Sequence, residues 1–136
     1  MRAPTKDEAD LGVLVVGTEC GALRRVDAAT GRLDVAATLL PGGRITGLAQ
    51  ARRQGGGRAL CASTADGRVA AFELGAGWPL GPPLDCVRLP GEVFALAAGS
   101  GEGEGAGGVV VVGCRDERVY CLRLAPQGHS EEDPGD

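Results

Sequence analysis

The chain has 136 residues and an apolar content of 43%, enough for a single globular domain with an apolar core. Its net charge of −4 comes without any basic cluster, which argues against a nucleic-acid or anionic-lipid partner. No apolar run approaches the roughly 18 residues that would span a bilayer, and no secretory signal is recognisable. We therefore expect a cytoplasmic protein without a membrane partner.

Acidic charge collects at both ends of the chain, and we predict disordered acidic segments at residues 1–10 and 125–136. The five cysteines are odd in number and show no C-x-x-C spacing. They favour reduced, half-buried strand residues over a disulfide framework or a zinc site. These cysteines are Cys20, Cys61, Cys86, Cys114 and Cys121.

Between these ends the chain repeats itself. Segments 13–27, 59–73 and 109–123 align without gaps, at offsets of 46 and 50 residues. Each has a run of apolar or small residues, a short polar turn and a second apolar run, which predicts a β-hairpin. Gly21 and Gly67 suit a turn residue with positive φ, whereas the third copy carries Glu117, so we expect strain or another turn type there.

A second repeated element lies between the hairpins. Residues 40–49 and 89–97 each read as a turn followed by an apolar strand, and segments 34–39 and 84–88 supply a further strand. Four short strands every 46 to 50 residues match the period of a propeller blade. Apolar residues do not recur with a helical period, and the frequent glycines disfavour helices.

The number of hairpins then limits the architecture, because a propeller needs roughly four to eight blades to close its ring. This chain has hairpins for three, with the innermost strand missing from the first and the last strand of the third uncertain. We predict an all-β fold, an incomplete β-propeller over residues 11–124.

The turn after the first hairpin indicates the type of repeat. Residues 27–32 read Asp-Ala-Ala-Thr-Gly-Arg and resemble the D-x-x-T-G-K turn of PQQ-type repeats. Asp27 and Thr30 are expected to cap backbone N–H groups, and Gly31 to adopt the left-handed conformation. The second copy keeps only its last glycine, Gly77. No G-H or W-D pair marks the repeats, which argues against a WD40 array.

The last third carries a more particular resemblance. Residues 89–94 (Leu-Pro-Gly-Glu-Val-Phe) and 113–122 (Gly-Cys-Arg-Asp-Glu-Arg-Val-Tyr-Cys-Leu) resemble the closing blade of the C-terminal PQQ-type propeller in the β-alanine-activating enzyme family, or acyl-CoA synthetase family member 4. The resemblance implies adjacent adenylation and carrier domains as partners. ATP and phosphopantetheine would act only in those missing domains, because neither the phosphate loop nor the carrier serine motif has a counterpart here.

Three features invite a chemical interpretation, and each has a simpler one. The glycine-rich run 100–108 lacks the Lys and Ser/Thr of a P-loop and predicts a flexible loop. Trp78 suggests a quinone site, but without adjacent cysteines we expect it to pack over a blade edge. His129, the single histidine, lies in the acidic tail beside Ser130, where we expect no catalytic role for it. We therefore predict no catalytic, cofactor-binding or metal-binding residues.

The sequence thus predicts a non-catalytic propeller fragment with a binding or scaffold role. Two alternatives remain: a piece of a PQQ-dependent quinoprotein oxidoreductase, and an adaptor that closes its ring by self-association through open blade edges. The uncharged strand segment 108–112 would add to aggregation of the isolated chain.

Overall fold

The computed structural model describes residues 13–53, 57–75, 77–100 and 108–124. The predicted disordered segments 1–10 and 125–136, and most of the predicted loop 100–108, lie outside this range. The described residues form ten strands and contain no helix. The strands are β1 (Val13–Gly17), β2 (Ala22–Asp27), β3 (Leu33–Leu39), β4 (Ile45–Arg52), β5 (Arg58–Thr64), β6 (Arg68–Glu73), β7 (Asp85–Arg88), β8 (Val93–Ser100), β9 (Gly108–Cys114) and β10 (Val119–Arg123).

The strands form three antiparallel sheets in chain order. The first sheet contains β1-β2-β3, the second β4-β5-β6-β7 and the third β8-β9-β10. All three predicted hairpins are present, and the predicted additional strands appear as β3 and β7. Among the described residues, the first sheet lacks a counterpart of β4 and β8, and the third lacks a counterpart of β3 and β7.

The hairpin turns confirm the predicted role of glycine. Gly21 and Gly67 have φ of 88° and 96°, and Glu117 occupies the same left-handed region at 68°. A non-glycine residue is strained there, because its Cβ approaches the backbone. The expected strain in the third hairpin is therefore present.

Each of the first two hairpin turns is also bound to the connector that leads into the next sheet. The amide of Leu40 donates to the carbonyl of Gly21 at 2.8 Å, and the amide of Leu89 donates to that of Gly67 at 2.8 Å. A Cβ on Gly67 would lie 2.6 Å from the Leu89 carbonyl oxygen. Glycine is thus required at Gly67 for both its conformation and this close approach.

Further backbone hydrogen bonds, within and between sheets, gather at the same end of the molecule, which we call the linked end. The amide of Ile45, at the start of β4, donates to the carbonyl of Thr18 in the first hairpin turn at 2.9 Å. The amide of Ala65 donates to the carbonyl of Arg44 at 3.0 Å. In the next repeat, the amide of Arg115 donates to the carbonyl of Glu92 at 2.8 Å. The connectors and turns at this end therefore form one bonded frame.

Two apolar layers make up the core, one on each face of the second sheet. They consist mainly of Val, Leu and Ala, with Cys61, Cys114 and Phe72. Between the first and second sheets lie Leu23, Leu40, Leu60, Ala62, Ala70, Phe72 and Leu80. Between the second and third sheets lie Ala51, Ala59, Cys61, Val69, Ala71, Leu89, Val93, Val110, Val112, Cys114 and Leu124.

The apolar segment 108–112, which we expected to promote aggregation, lies in the central strand of the third sheet. It forms most of β9, which pairs with β10 on one side and β8 on the other. Its backbone groups are used within the third sheet, so any exposed edge of that sheet belongs to β8 or β10.

The turn after the first hairpin has the predicted geometry. Asp27 Oδ1 accepts from the amide of Ala29 at 2.9 Å, and Thr30 Oγ1 accepts from the amide of Arg32 at 3.3 Å. Gly31 has a φ of 74°. The side chains therefore cap backbone N–H groups as proposed from the D-x-x-T-G pattern.

Candidate binding cleft

A cleft of about 490 Å³ lies between the first and second sheets. Its walls are Val15 of β1, Leu48 and Gln50 of β4, and Leu60 of β5, with Leu14 also at its margin. A smaller space of about 160 Å³ between the second and third sheets lies elsewhere, beside β6, β7 and β10. The cleft adjoins β1, where the first sheet, among the described residues, has no strand equivalent to β4 or β8.

Trp78 closes one side of the cleft and confirms the expectation that it packs over a blade edge. Its indole Nε1 donates to the carbonyl oxygen of Ala36 at 3.1 Å, on the edge strand β3. Two residues further on, the amide of Leu80 donates to the buried Thr38 Oγ1 at 2.8 Å. The segment 77–83, which we call the Trp78 loop, therefore extends from the second sheet and is bound to the first.

Charge enters this apolar cleft through guanidinium groups. Arg25 and Arg58 both line it. Arg25 forms an ion pair with Asp34 at 2.7 Å across the first sheet. The amide of Ala36 donates to Asp34 Oδ1, and this bond, together with Arg25, lowers the pKa of Asp34 below its usual value. Asp34 is thus held ionised, and it fixes the Arg25 side chain at the cleft wall.

A second groove, of about 460 Å³, lies on the other side of the Trp78 loop. Phe72, Leu40 and the prolines at 79, 82 and 83 line it, with Arg68 and Cys86 at its margin. The buried Leu80 belongs to the linings of both spaces, so the groove and the cleft adjoin at this residue.

The linked end carries two ion pairs, one of which joins the second and third sheets. Glu92, which precedes β8, pairs with Arg44 and with Arg115, the latter at 3.0 Å. These pairs are exposed to solvent and contribute little to stability. Of the two, the pair of Arg44 with Glu92 crosses from the second sheet to the third.

A separate cluster surrounds the second hairpin turn. Asp66 accepts from Thr64 Oγ1 at 2.7 Å and from Arg68 Nε at 2.9 Å. Burial opposes ionisation of this carboxyl, but the two hydrogen bonds prevail and lower the pKa of Asp66. Asp66 therefore remains ionised within the turn, and its role there is structural.

The cysteines do not share the predicted half-buried environment. Cys61 and Cys114 are buried in strands, whereas Cys86 and Cys121 are exposed on strands and Cys20 lies exposed in the first turn. The prediction was wrong because strand residues alternate between faces and only some faces meet another sheet. Burial raises the pKa of the Cys61 thiol to about 11, which disfavours its thiolate.

Two residues weighed as catalytic, His129 and Ser130, lie outside the described residues. Within the described ranges, no group of three or more His, Cys, Asp or Glu side chains is arranged to hold a metal ion. The described part also contains no helix long and apolar enough to cross a membrane. The lining of the cleft combines apolar side chains, two guanidinium groups and the Gln50 amide, which suits non-covalent recognition of a partly apolar ligand.

Comparison with known proteins shows a likeness of fold. A solved structure of BBS1N in complex with ARL6DN, soaked with mercury, is similar to this chain. The match covers 87% of the residues of this chain and has a TM-score of 0.64. That structure contains a β-propeller. The fold fits a partial β-propeller.

The likeness concerns the fold alone, because sequence identity is 17%. This partial propeller spans about a third of the matched structure, covering 32% of that chain. No family model matches the sequence, and no curated protein matches it. The cleft itself was not predicted from the sequence, since it depends on the spacing of two sheets.

Proposed function

We propose that the chain is a non-catalytic portion of a β-propeller with a binding or scaffold role, built from three PQQ-type repeats. The repeated hairpins, the repeated connector bonds and the geometry of the turn at residues 27–31 support the repeat assignment. The solved neighbour is described as bound to a second protein, ARL6DN, which makes protein binding a reasonable role for this fold.

The observation that carries the proposal is the character of the two outermost sheet faces. On the first sheet, Val35 is 91% exposed and Leu39 73% exposed; on the third, Phe94 is 61% and Val119 73% exposed. Inner faces of similar composition pack against one another in the core. Exposed large apolar side chains on a sheet face suit packing against another domain or chain.

We further propose that the packing neighbours are the adenylation and carrier domains of a longer, cytoplasmic, β-alanine-activating enzyme. The resemblance of residues 89–94 and 113–122 supports this assignment. ATP and phosphopantetheine would then be used in those domains, and the chain described here would use no cofactor.

The size of the native protein tests this assignment. A blot of source material with an antibody against residues 89–124 should show a band several times larger than 13.7 kDa. A band at 13.7 kDa alone would contradict it and favour a self-assembling adaptor. The quinoprotein alternative predicts a change in absorbance when PQQ and calcium are added to the chain.

The outer faces can be tested on the isolated chain, which we expect to self-associate. Val35→Glu places a charge on the open face of the first sheet without disturbing a buried residue. We expect light scattering to show a lower mean mass for this variant than for the parent chain. Ala29→Glu, in an exposed turn, adds the same charge and should leave the mass unchanged. If the unaltered chain is a monodisperse monomer, the outer faces do not serve as packing sites as proposed.

A further inference from the structure

The inner edge of β1 has unused hydrogen-bonding capacity among the described residues. β1 pairs only with β2, and the amide of Thr18 donates to the carbonyl of Ala22 at 3.0 Å. Bonded and non-bonded pairs alternate along an antiparallel ladder, so this bond sets the phase for the strand. The backbone N–H and C=O groups of Val13, Val15 and Gly17 therefore point to the free edge.

In the other two sheets, a strand occupies this edge. The position of Val15 corresponds to Cys61 in β5 and Val111 in β9. Cys61 pairs with Ala49 of β4, and Val111 pairs with Ala97 of β8. Both partners run antiparallel, so the repeat defines the direction and register of a strand that would pair with β1.

The chemistry of such a strand also follows from β4 and β8. In β4 the sequence from residue 47 is Gly-Leu-Ala-Gln-Ala, and in β8 the matching residues from 95 are Ala-Leu-Ala-Ala-Gly. Glycine and alanine alternate on the side of β4 that meets the third sheet. A Cβ on Gly47 would lie 3.0 Å from the Cβ of Leu96, so only small side chains fit between these strands.

In the cleft, β4 presents to the first sheet a surface equivalent to the one that β8 presents to the second sheet. Its walls Leu48 and Gln50 on β4 correspond to Leu96 and Ala98 on β8. We propose that the free edge of β1 binds an extended polypeptide segment, antiparallel to β1, with Gly or Ala at alternate positions over Leu48 and Gln50 and a Leu on its opposite side. This strand addition deepens the binding role proposed above, because it states what kind of segment is bound.

A peptide with the sequence of residues 44–52, Arg-Ile-Thr-Gly-Leu-Ala-Gln-Ala-Arg, is a suitable probe because it contains no aromatic residue. Trp78 is the single tryptophan and lines the cleft, so its fluorescence reports occupancy. We expect a saturable change in Trp78 emission with a dissociation constant below about 1 mM when the peptide is added to the full chain.

Modified peptides test the hydrogen-bond register without altering the protein. In β4, the bond from the amide of Arg53 to the carbonyl of Gly57 at 2.7 Å places the amide of Ala49 toward β5. A methyl group on the corresponding peptide nitrogen removes the donor that would bind β1. Binding should weaken about tenfold. The next peptide nitrogen, that of the glutamine, points away from β1. Its methylation should therefore leave the dissociation constant within about twofold.

A substitution at the edge tests the site itself. Val15→Pro removes the edge N–H while leaving the β1–β2 bonds, because proline is tolerated where the N–H of an edge strand faces outward. We expect at least about tenfold weaker binding. Val15→Ala also loses side-chain volume but keeps the N–H, so it should bind more tightly than Val15→Pro. Val16→Ala lies outside the cleft lining and should bind as the unaltered chain does. If Val15→Pro fails to fold by circular dichroism, the methylated peptides decide.

Other occupants give distinct results. Equal binding to the parent chain and to Val15→Pro would mean that the peptide exchanges with β4 in the second sheet, and it would overturn the proposal. Absence of a Trp78 response at about 1 mM peptide would do so as well. A dimer that dissociates in Val15→Pro would identify a second copy as the occupant instead. These results do not depend on the mass of the native protein. The blot therefore tests the assignment to a β-alanine-activating enzyme separately from the peptide experiments.

Discussion

The close approach at Gly67 allows a quantitative prediction. Gly67→Ala adds one methyl group at a residue with a φ of 96°, within 2.6 Å of the Leu89 carbonyl oxygen and 2.7 Å of that of Gly91. Both neighbours are backbone atoms, so no side chain can rotate away. The turn and the connector would have to separate, which weakens the bond from the Leu89 amide to the Gly67 carbonyl.

Gly31 provides a matched control for the conformational part of this effect. Its φ is 74°, and a Cβ there would meet nothing within 4 Å. We therefore expect Gly31→Ala to cost only the left-handed strain, about 1–2 kcal/mol. Overpacking typically adds about 1–3 kcal/mol. Gly67→Ala should therefore lose about 2–5 kcal/mol, a large share of the stability of a small domain.

Urea denaturation followed by Trp78 fluorescence measures both variants, because Trp78 packs against the first apolar layer. The difference between the two losses isolates the steric contact. If Gly67→Ala loses no more than Gly31→Ala, within about 0.5 kcal/mol, the contact between turn and connector does not stabilise the fold as argued.

Three further predictions concern individual contacts. Thr38→Val leaves the Leu80 amide without its buried acceptor and should cost about 1–3 kcal/mol in urea denaturation, whereas Thr38→Ser, which keeps the acceptor, should cost clearly less. The Tyr120 hydroxyl lowers the pKa of Asp116, so this carboxylate stabilises the fold above its ordinary pKa and loses that effect as the pH falls through the lowered value. Tyr120→Phe should return the pKa of Asp116 toward its usual value in an NMR titration, and an unchanged pKa would show that the hydrogen bond is not its cause. With a thiol reagent at about pH 8, Cys20, Cys86 and Cys121 should react in the folded chain. Cys61 and Cys114 should react only on unfolding, and rapid labelling of all five would contradict the described burial.

Much of the fold follows from local sequence signals. The paired apolar runs and the glycines at Gly21, Gly31 and Gly67 predict hairpins and turns because these depend on neighbouring residues. The repeat of 46 to 50 residues predicts four strands in each unit, and this adds β3 and β7, whose own patterns are weak. Cysteine burial was mispredicted because it depends on which sheet faces meet, and this is a property of the assembled sheets.

The cleft was beyond the reach of the same signals. Trp78 was correctly placed over a blade edge, but its hydrogen bond to Ala36 joins residues far apart in the sequence. Nothing in the pattern around either residue indicates this pairing. The space beside Leu48 likewise arises from the relation between two sheets, so only the three-dimensional arrangement shows it.

Because of the bonded frame, we expect the linked end to tolerate inserted residues less well than the opposite end. An extra residue in the connectors at 40–44 or 89–92 would draw a backbone donor or acceptor away from the next hairpin turn. At the opposite end, the connections at 28–32 and 74–84 differ in length although each joins the same two strand positions of its sheet. New segments are therefore best grafted at that opposite end, where the Trp78 loop shows that an added stretch of chain can become a wall of a binding site.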